Sequence, residues 1–460
     1  MRGQSSWSYA PYKPFLFDSG DIYICRIVPY EHEIHFEWLG IDAEEYEIYC
    51  KLMDGEQFEK IGTTKETYFD IQNLEYEKDY EFYVKSGNLE SRRRLARTGE
   101  YVGTTVNYLH PEDKAYSFSG QYLCSPSMVR HPDGYLLASM DVFHPTGPQN
   151  LTLIFRSDDD GKNWHYVSEL FPCFWGKLFI HKNELYMLGN STEYGDLLIG
   201  KSVDGGKTFS APVALLRGSG RNDVAGIHRN PENEVYYNGR LYMTLEWGTW
   251  AIGYHAAMLM SCDENADLLV PENWHFAPPV KYDPNWAGVA KGPSSGNIEG
   301  TLVVAPDGKL YNIMRYDMTK TEPCYGLVLA YKVNTEDPDA PLEYSHAIKL
   351  SGNHSKFMIK KDVVTGYYYT IISRIDIPER TYRRNLLSLM RSVDLENWEL
   401  VTDIFDFRDH DMEKVGFQYV DFSIEGDDII MLVRTALNNA HNFHDANYST
   451  FHRLENFREL

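Results

Sequence analysis

The chain lacks an apolar run long enough to cross a bilayer, and it lacks a basic run interleaved with aromatic residues. Its 44 Lys and Arg are outnumbered by 67 Asp and Glu, and the formal net charge of -23 opposes attraction to phosphate backbones. Its first residues also lack the basic segment and apolar stretch of a secretory leader. We therefore predict a soluble cytoplasmic protein, or a secreted one whose signal was removed, that binds neither membranes nor nucleic acid.

Cysteine is scarce as well, with six among 460 residues and no CxxC spacing. This scatter argues against a zinc or dithiol site and predicts reduced cysteines in a core. His441, His444 and Asp445 lie close together near the C-terminus, but their spacing matches no strong metal motif. We predict no metal and no cofactor, and a hydrogen-bonded loop in which His444 or Asp445 contacts a substrate.

One eight-residue pattern, Ser-x-Asp-x-Gly-x-x-aromatic, occurs at 157–164 and again at 202–209, and a degraded copy lies at 392–398. Asp and Gly close a tight turn, and the terminal aromatic residue pins that turn onto a sheet. The first two copies start 45 residues apart, about the length of one four-stranded blade. The pattern resembles the Asp box of sialidase-like β-propellers.

A polar turn followed by an apolar run recurs six times, which is the signal of a β-hairpin. The turns are Asp133-Gly134, Asn183-Glu184, Asn238-Gly239, Asp307-Gly308, Thr365-Gly366 and Gly426-Asp427. Their average spacing accommodates four strands per blade. We therefore predict an all-β protein in which residues 105–460 form a six-bladed β-propeller.

A smaller module precedes the propeller. After an N-terminal segment, 1–20, residues 21–104 contain short alternating strands without helical periodicity. Trp38 lies in the second of these strands, and Leu74 precedes Tyr80 by six residues, which resembles the buried Trp and tyrosine corner of a fibronectin type III sandwich. The basic cluster 92–94 is interpreted as a solvated strand edge.

The hairpin register places polar residues at one end of the propeller axis. In a blade, the innermost strand begins on the face to which the second strand returns. Residues seven or eight positions after each turn therefore share a basin with residues at the starts of the inner strands. The first set is Asp141, Asn190, Glu246, Arg315, Arg374 and Arg434, and the second includes Ser125, His228, Arg229, Glu299, Lys356 and the run Gln418-Tyr419-Val420-Asp421.

Three segments resemble sialidase motifs in the right order. The stretch from Glu299 to Arg315 is similar to the segment with the carboxylate that assists the nucleophile and the second substrate-binding Arg. Arg384 matches the site of the third Arg, and Tyr419 matches the nucleophilic Tyr. The first Arg is absent, because Ser125 stands in its place, and Ser lacks the charged fork that grips a carboxylate.

This resemblance implies a sialidase-like exo-glycoside hydrolase in which Tyr419 attacks the anomeric carbon and Glu299 accepts its proton. Asp141 and His144 are the two candidates for the general acid, with Asp141 preferred. The expected substrate is an anionic glycan of the uronate or sialate type. Its predicted contacts are Arg315, Arg384, Arg434, Arg374, Glu246, His228, Gln418, Asp421 and His444.

Two alternatives remain open at this point. The same arginines suit a polysaccharide lyase that cleaves a uronate-containing glycan by β-elimination, with Tyr or His abstracting the C5 proton. A non-catalytic glycan-binding propeller is the third possibility, since this fold hosts many binding proteins.

Overall fold

Short antiparallel strands make up nearly all the regular structure, as the alternating sequence predicts. The computed structural model describes Trp7 and residues 22–40 and 43–460, so the predicted N-terminal segment lies outside the described residues apart from Trp7. The helices of the described part are three-residue 3₁₀ turns at Pro271–Asn273, Pro378–Arg380 and Phe457–Glu459. In the same part, no helix is long and apolar enough to span a membrane. The all-β prediction is confirmed.

The first eight strands form two packed sheets. They are β1 (Tyr23–Pro29), β2 (Ile34–Leu39), β3 (Tyr46–Leu52), β4 (Glu59–Thr64), β5 (Tyr68–Ile71), β6 (Asp79–Ser86), β7 (Leu89–Glu90) and β8 (Arg94–Arg97). One sheet has the order β1-β2-β5 and the other β4-β3-β6-β7, with β8 also on β6. The alternating pattern of the sequence predicts strands at 22–28, 34–39, 46–53, 68–71 and 80–85, which correspond to β1, β2, β3, β5 and β6. Strand β4 escaped prediction because its residues are mostly exposed and lack an alternating apolar face.

The core of this sandwich contains the two aromatic residues that the sequence singled out. Trp38 is 2% exposed and packs edge-on against Tyr46. The hydroxyl of Tyr80 accepts a hydrogen bond of 2.9 Å from the backbone N–H of Glu75, which is the contact of a tyrosine corner.

Six further antiparallel sheets follow, and we number them I to VI. Sheets I, II, IV and V have four strands in sequence order, sheet III has five strands, and sheet VI is completed by a strand that precedes sheet I in the chain. Their strands, together with β9, are as follows. Strand β9 is Thr104–Tyr108, and sheet I holds β10 (Tyr122–Arg130), β11 (Leu136–Phe143), β12 (Leu151–Ser157) and β13 (His165–Leu170). Sheet II holds β14 (Phe174–His181), β15 (Glu184–Asn190), β16 (Leu197–Ser202) and β17 (Val213–Leu216). Sheet III holds β18 (Gly226–His228), β19 (Val235–Tyr237), β20 (Arg240–Thr249), β21 (Tyr254–Asp263) and β22 (Trp274–Val280). Sheet IV holds β23 (Gly296–Val304), β24 (Leu310–Asp317), β25 (Leu327–Lys332) and β26 (Glu343–Lys349). Sheet V holds β27 (Ile359–Lys361), β28 (Tyr368–Ser373), β29 (Leu386–Ser392) and β30 (Glu399–Asp406). Sheet VI holds β31 (Gly416–Glu425), β32 (Asp428–Ala436) and β33 (Tyr448–Leu454). In sheet III, β18 and β19 both pair with β20, and the outer strand of sheet VI is β9.

The predicted hairpin turns and Asp boxes occupy defined places in these sheets. Each hairpin turn separates the first strand of a sheet from the second, and each Asp box joins the third strand to the fourth. In the first box the Ser157 hydroxyl donates to Asp159 (2.9 Å), and the Trp164 indole N–H donates to the Gly161 carbonyl (3.1 Å). The Asp boxes therefore lie at the outer edges of sheets I, II and V, away from the first strands of those sheets.

The sandwich shares one hydrophobic core with sheets V and VI. A buried ion pair links the sandwich to the segment between β9 and β10: Arg94 Nε donates to Asp113 Oδ2 at 2.7 Å, with side chains 3% and 1% exposed. Arg94 also donates to the Ile24 carbonyl. The interpretation of residues 92–94 as a solvated edge was therefore wrong for Arg94, because its partner Asp113 lies beyond the sandwich, where sequence periodicity gives no signal.

Breaking this ion pair should destabilise the protein strongly. Asp113→Ala leaves the Arg94 guanidinium buried and unpaired, and we expect a loss of about 3–5 kcal/mol in the free energy of unfolding. Urea denaturation measures it. The matched control is Asp223→Ala, whose partner Arg221 is 63% exposed, with an expected loss below about 1 kcal/mol. Equal losses in both variants would contradict this view of the interface.

Candidate active site at the inner strand ends

Four inner strands carry the same irregularity at the same place. The pairing register shifts where β10, β14, β23 and β31 pass Ser125, Trp175, Glu299 and Tyr419. Each of these residues has a positive φ, between 50° and 56°, which costs a residue with a Cβ about 1–2 kcal/mol. Such a β-bulge re-aims a side chain. All four line one pocket of about 410 Å³.

Tyr419, Glu299 and Arg315 form a connected triangle in this pocket. The Tyr419 hydroxyl donates to Glu299 Oε1 at 2.7 Å, and Arg315 Nη1 donates to Glu299 Oε2 at 2.7 Å and to the Tyr419 oxygen at 3.3 Å. Burial opposes ionisation of Glu299, but Arg315 and His228 hold its pKa below the ordinary value. The carboxylate is thus ionised and placed to receive the phenolic proton.

Two more guanidinium groups, those of Arg384 and Arg434, face the same pocket and are each 5% exposed. Arg384 donates to the Gln418 side chain and to the His354 carbonyl, and Arg434 donates to the His444 carbonyl. Within the described residues these hydrogen bonds go only to neutral groups, and the Nε atom of each has no partner. Burial lowers the pKa of Arg384 to about 9. Buried cations without an acidic partner favour an anionic ligand.

The remaining wall is aromatic and acidic. Phe143, Phe174, Trp175 and Trp250 line it, and Trp250 is 49% exposed at the tip of the hairpin between β20 and β21. Sequence reasoning missed these aromatic residues, and it missed Glu193 and Gln149, which come from loops after second strands, and Asn222, which lies between sheets II and III. The available signal was the hairpin register itself, since Glu193 lies three residues after Asn190.

His228 and His444 are both found in the pocket, as predicted. His228 Nδ1 lies 2.7 Å from Glu246 Oε2, and Glu246 is fully buried beneath it, so Glu246 holds His228 rather than lining the pocket. His444 and His441 each place Nδ1 2.8 Å from Asp445, which forms the expected hydrogen-bonded loop. Among the described residues, no group of three or more His, Cys, Asp or Glu is arranged to hold a metal ion.

The structure corrects both candidates for the general acid. Asp141 is fully buried in β11, where the Thr152 hydroxyl donates to it at 2.5 Å, and it does not line the pocket. Burial raises the pKa of Asp141 to about 7. His144 stacks on Tyr122 instead, while its neighbours Phe143 and Pro145 face the pocket. A short side chain on a second strand does not extend past the inner strand, whereas the longer Arg315 does.

Three predicted substrate contacts also lie elsewhere. Arg374 turns away from the axis toward the outer strands and donates to Asp403 at 2.8 Å. Asp421 lies two residues beyond Tyr419 along β31, below the pocket, and pairs with buried Lys177 at 2.7 Å. Gln418 is fully buried and orients Arg384 without lining the pocket.

No protein-family model matches the chain, and no curated protein matches it in sequence. Among solved structures, an α-L-arabinanase from Penicillium chrysogenum complexed with arabinobiose is similar over 78% of this chain and 99% of its own, with 16% identity and a TM-score of 0.52. An α-L-arabinofuranosidase from Fusarium graminearum, in complex with an iminosugar inhibitor, matches over 77% and 98%, with 11% identity and a TM-score of 0.50. The chain shares the β-propeller fold of these structures. At these identities the likeness shows the fold alone.

Burying the guanidinium groups of Arg384 and Arg434 without an acidic partner should lower the stability of the free protein. Arg434→Met removes a buried charge, and we expect the free energy of unfolding to rise by about 1 kcal/mol in the free protein. Arg374→Met is the matched control and should lower it, because Asp403 loses its partner. Thermal and urea unfolding give both values. Strong destabilisation by Arg434→Met would show that Arg434 serves the fold.

Proposed function

We propose that the protein is a glycoside hydrolase that removes a terminal anionic sugar from a glycan. The observation that carries the proposal is the contact between Tyr419 and Glu299, at 2.7 Å, inside a pocket that also holds two buried cations without acidic partners. A tyrosine nucleophile needs such a base, because a phenol with a pKa near ~10 is a poor nucleophile when neutral.

In the proposed first step, the Tyr419 oxygen attacks the anomeric carbon and its proton passes to Glu299. Burial and the adjacent Glu299 raise the pKa of Tyr419, so the phenol stays protonated until attack. The guanidinium groups of Arg384 and Arg434 lie 5.7 Å and 5.0 Å from the centre of the Tyr419 ring. They are therefore beside the Tyr419 ring, where we expect them to bind a sugar carboxylate and to stabilise charge that develops on the phenolic oxygen.

Arg434 supplies the charge that Ser125 does not. It extends from β32 of sheet VI, and its guanidinium lies 5.0 Å from the ring centre of Phe143 in sheet I, the sheet that also carries Ser125. Arg434, Phe143 and Ser125 all line the pocket. The pocket thus keeps three guanidinium groups, from Arg315, Arg384 and Arg434. This set favours a uronate- or sialate-type substrate over a neutral one.

We further infer that sheets I to VI are the six blades of a single propeller. The first strand of sheet I contacts strands of both sheet II and sheet VI. Sheet VI is completed by β9, which precedes sheet I in the chain and pairs with β33, so the two ends of the ring are joined by hydrogen bonds. This closure supports assigning residues 105–460 to the propeller, with β9 beginning one residue earlier.

The function is tested on 4-methylumbelliferyl glycosides of N-acetylneuraminic, glucuronic and galacturonic acids. The neutral L-arabinofuranoside is included because the arabinanase structure contains arabinobiose. We expect turnover of an anionic glycoside, and Tyr419→Phe should lower kcat by about 10³-fold or more because the nucleophile is lost. Tyr101→Phe, at a residue 40% exposed and outside the pocket, is the control and should change nothing.

Other outcomes discriminate the alternatives. Degradation of a uronate polymer to unsaturated products that absorb in the ultraviolet would identify a lyase. Saturable binding of an anionic sugar without turnover, unchanged in Tyr419→Phe, would identify a binding propeller. Hydrolysis of the arabinofuranoside alone would overturn the anionic substrate.

A further inference from the structure

The proposed reaction lacks a proton donor for the leaving group, since neither Asp141 nor His144 reaches the pocket. Two acidic side chains line the pocket in the described part of the chain, Glu299 and Glu193. Both oxygens of Glu299 are engaged by Tyr419 and Arg315. The geometry points to Glu193 as the general acid and base of the reaction, an inference that rests on the proposed function.

The loop that carries Glu193 is braced on both sides. It connects β15 to β16, and the Thr192 hydroxyl donates to the Pro148 carbonyl of the preceding sheet. Tyr194, with a positive φ of 58°, forms a β-bridge with Ile227 of sheet III and accepts a hydrogen bond from the Trp250 N–H at 3.1 Å. Contacts to sheets I and III therefore fix the carboxyl group at the pocket wall.

Glu193 also belongs to a different part of the wall from the cations. It comes from sheet II, whereas Arg315, Arg384 and Arg434 come from sheets IV, V and VI. The exposed Trp250 lies on the Glu193 side of the pocket mouth and offers a flat apolar face to a leaving sugar. The anionic sugar and the leaving group are thus served by separate parts of the wall.

The surroundings of Glu193 and Glu299 favour opposite protonation states. Burial raises the pKa of Glu193, against the opposing effects of His228 and of hydrogen bonds from Gln149 and Asn222. Gln149 Nε2 donates to Oε2 of Glu193 at 2.9 Å, which orients the carboxyl group. Two carboxyl groups whose pKa values are displaced apart fit one acid and one base.

Each proton and bond is accounted for in this scheme. As Tyr419 attacks, the bond from the anomeric carbon to the glycosidic oxygen breaks, and Glu193 gives its proton to the departing oxygen. The Glu193 carboxylate then takes a proton from water, whose oxygen attacks the anomeric carbon. The bond to Tyr419 breaks, and the phenolate recovers its proton from Glu299.

The test compares Glu193→Gln with the wild type on two aryl glycosides of the same anionic sugar. Hydrolysis of the phenyl glycoside should fall by about 10²–10⁴-fold, because its leaving group needs a proton. Release of 2,4-dinitrophenolate should fall far less and show a burst, and azide should accelerate turnover of this substrate and give a glycosyl azide. The alkaline limb of kcat/KM, which reports loss of the acid's proton, should disappear in the variant.

Two controls separate the possible failures. Asp141→Asn should leave the ratio of the two substrates unchanged, and thermal unfolding confirms that each variant is folded. Equal loss on both glycosides in Glu193→Gln, or the leaving-group pattern in Asp141→Asn, would overturn the assignment of Glu193 while leaving the hydrolase intact. A wild type that hydrolyses no anionic aryl glycoside would instead overturn the proposed function, and the assignment with it.

Discussion

The pocket depends on one backbone constraint, a β-bulge that recurs where four inner strands approach the axis. An inner strand in regular pairing alternates its side chains between the two faces of the sheet and aims none along the axis. At Ser125, Trp175, Glu299 and Tyr419 a positive φ breaks that alternation and directs one side chain into the pocket. Four non-glycine residues in this conformation are costly, and the close packing of the surrounding sheets is what holds them there.

Burying unpaired charge costs free energy in addition to the backbone strain, and the two costs are linked. The bulge at Glu299 brings its carboxylate against Arg315 and Tyr419, so this charge is neutralised within the site. No comparable carboxylate meets Arg384 or Arg434 among the described residues. The unbalanced positive charge sits beside the phenol, where the proposed attack develops negative charge and where the proposed substrate places its anionic group. A site that is compensated only when occupied binds anions selectively.

The fold was largely predictable because its signals are local. Asp-Gly and Asn-Gly turns, Asp boxes and apolar runs report hairpins directly, and Trp38 and Tyr80 report the sandwich. The site was predictable only in part. Counting from the turns found Arg315 and Arg434, but Asp141 and Glu246, at the same register, have shorter side chains and stay buried behind the pocket lining. Arg374, Asp421 and Arg94 have partners that are distant in sequence, and such pairing leaves no local pattern.

Glu193 shows why the loop residues of such a site are the hardest to predict from the sequence. Its place in the pocket is set by contacts to Pro148, Ile227 and Trp250, which come from the two neighbouring sheets and are separated from it by 34 to 57 residues in the chain. An inner-strand residue inherits its direction from the bulge, so Tyr419 and Glu299 face each other whatever the loops do. A loop residue such as Glu193 is positioned in the pocket only by contacts with the neighbouring sheets on both sides. In the proposed reaction, the nucleophile and its base therefore belong to the inner strands, while the acid and the leaving-group side belong to the loops. Substitutions in these loops should alter the leaving-group preference more readily than the chemistry at Tyr419.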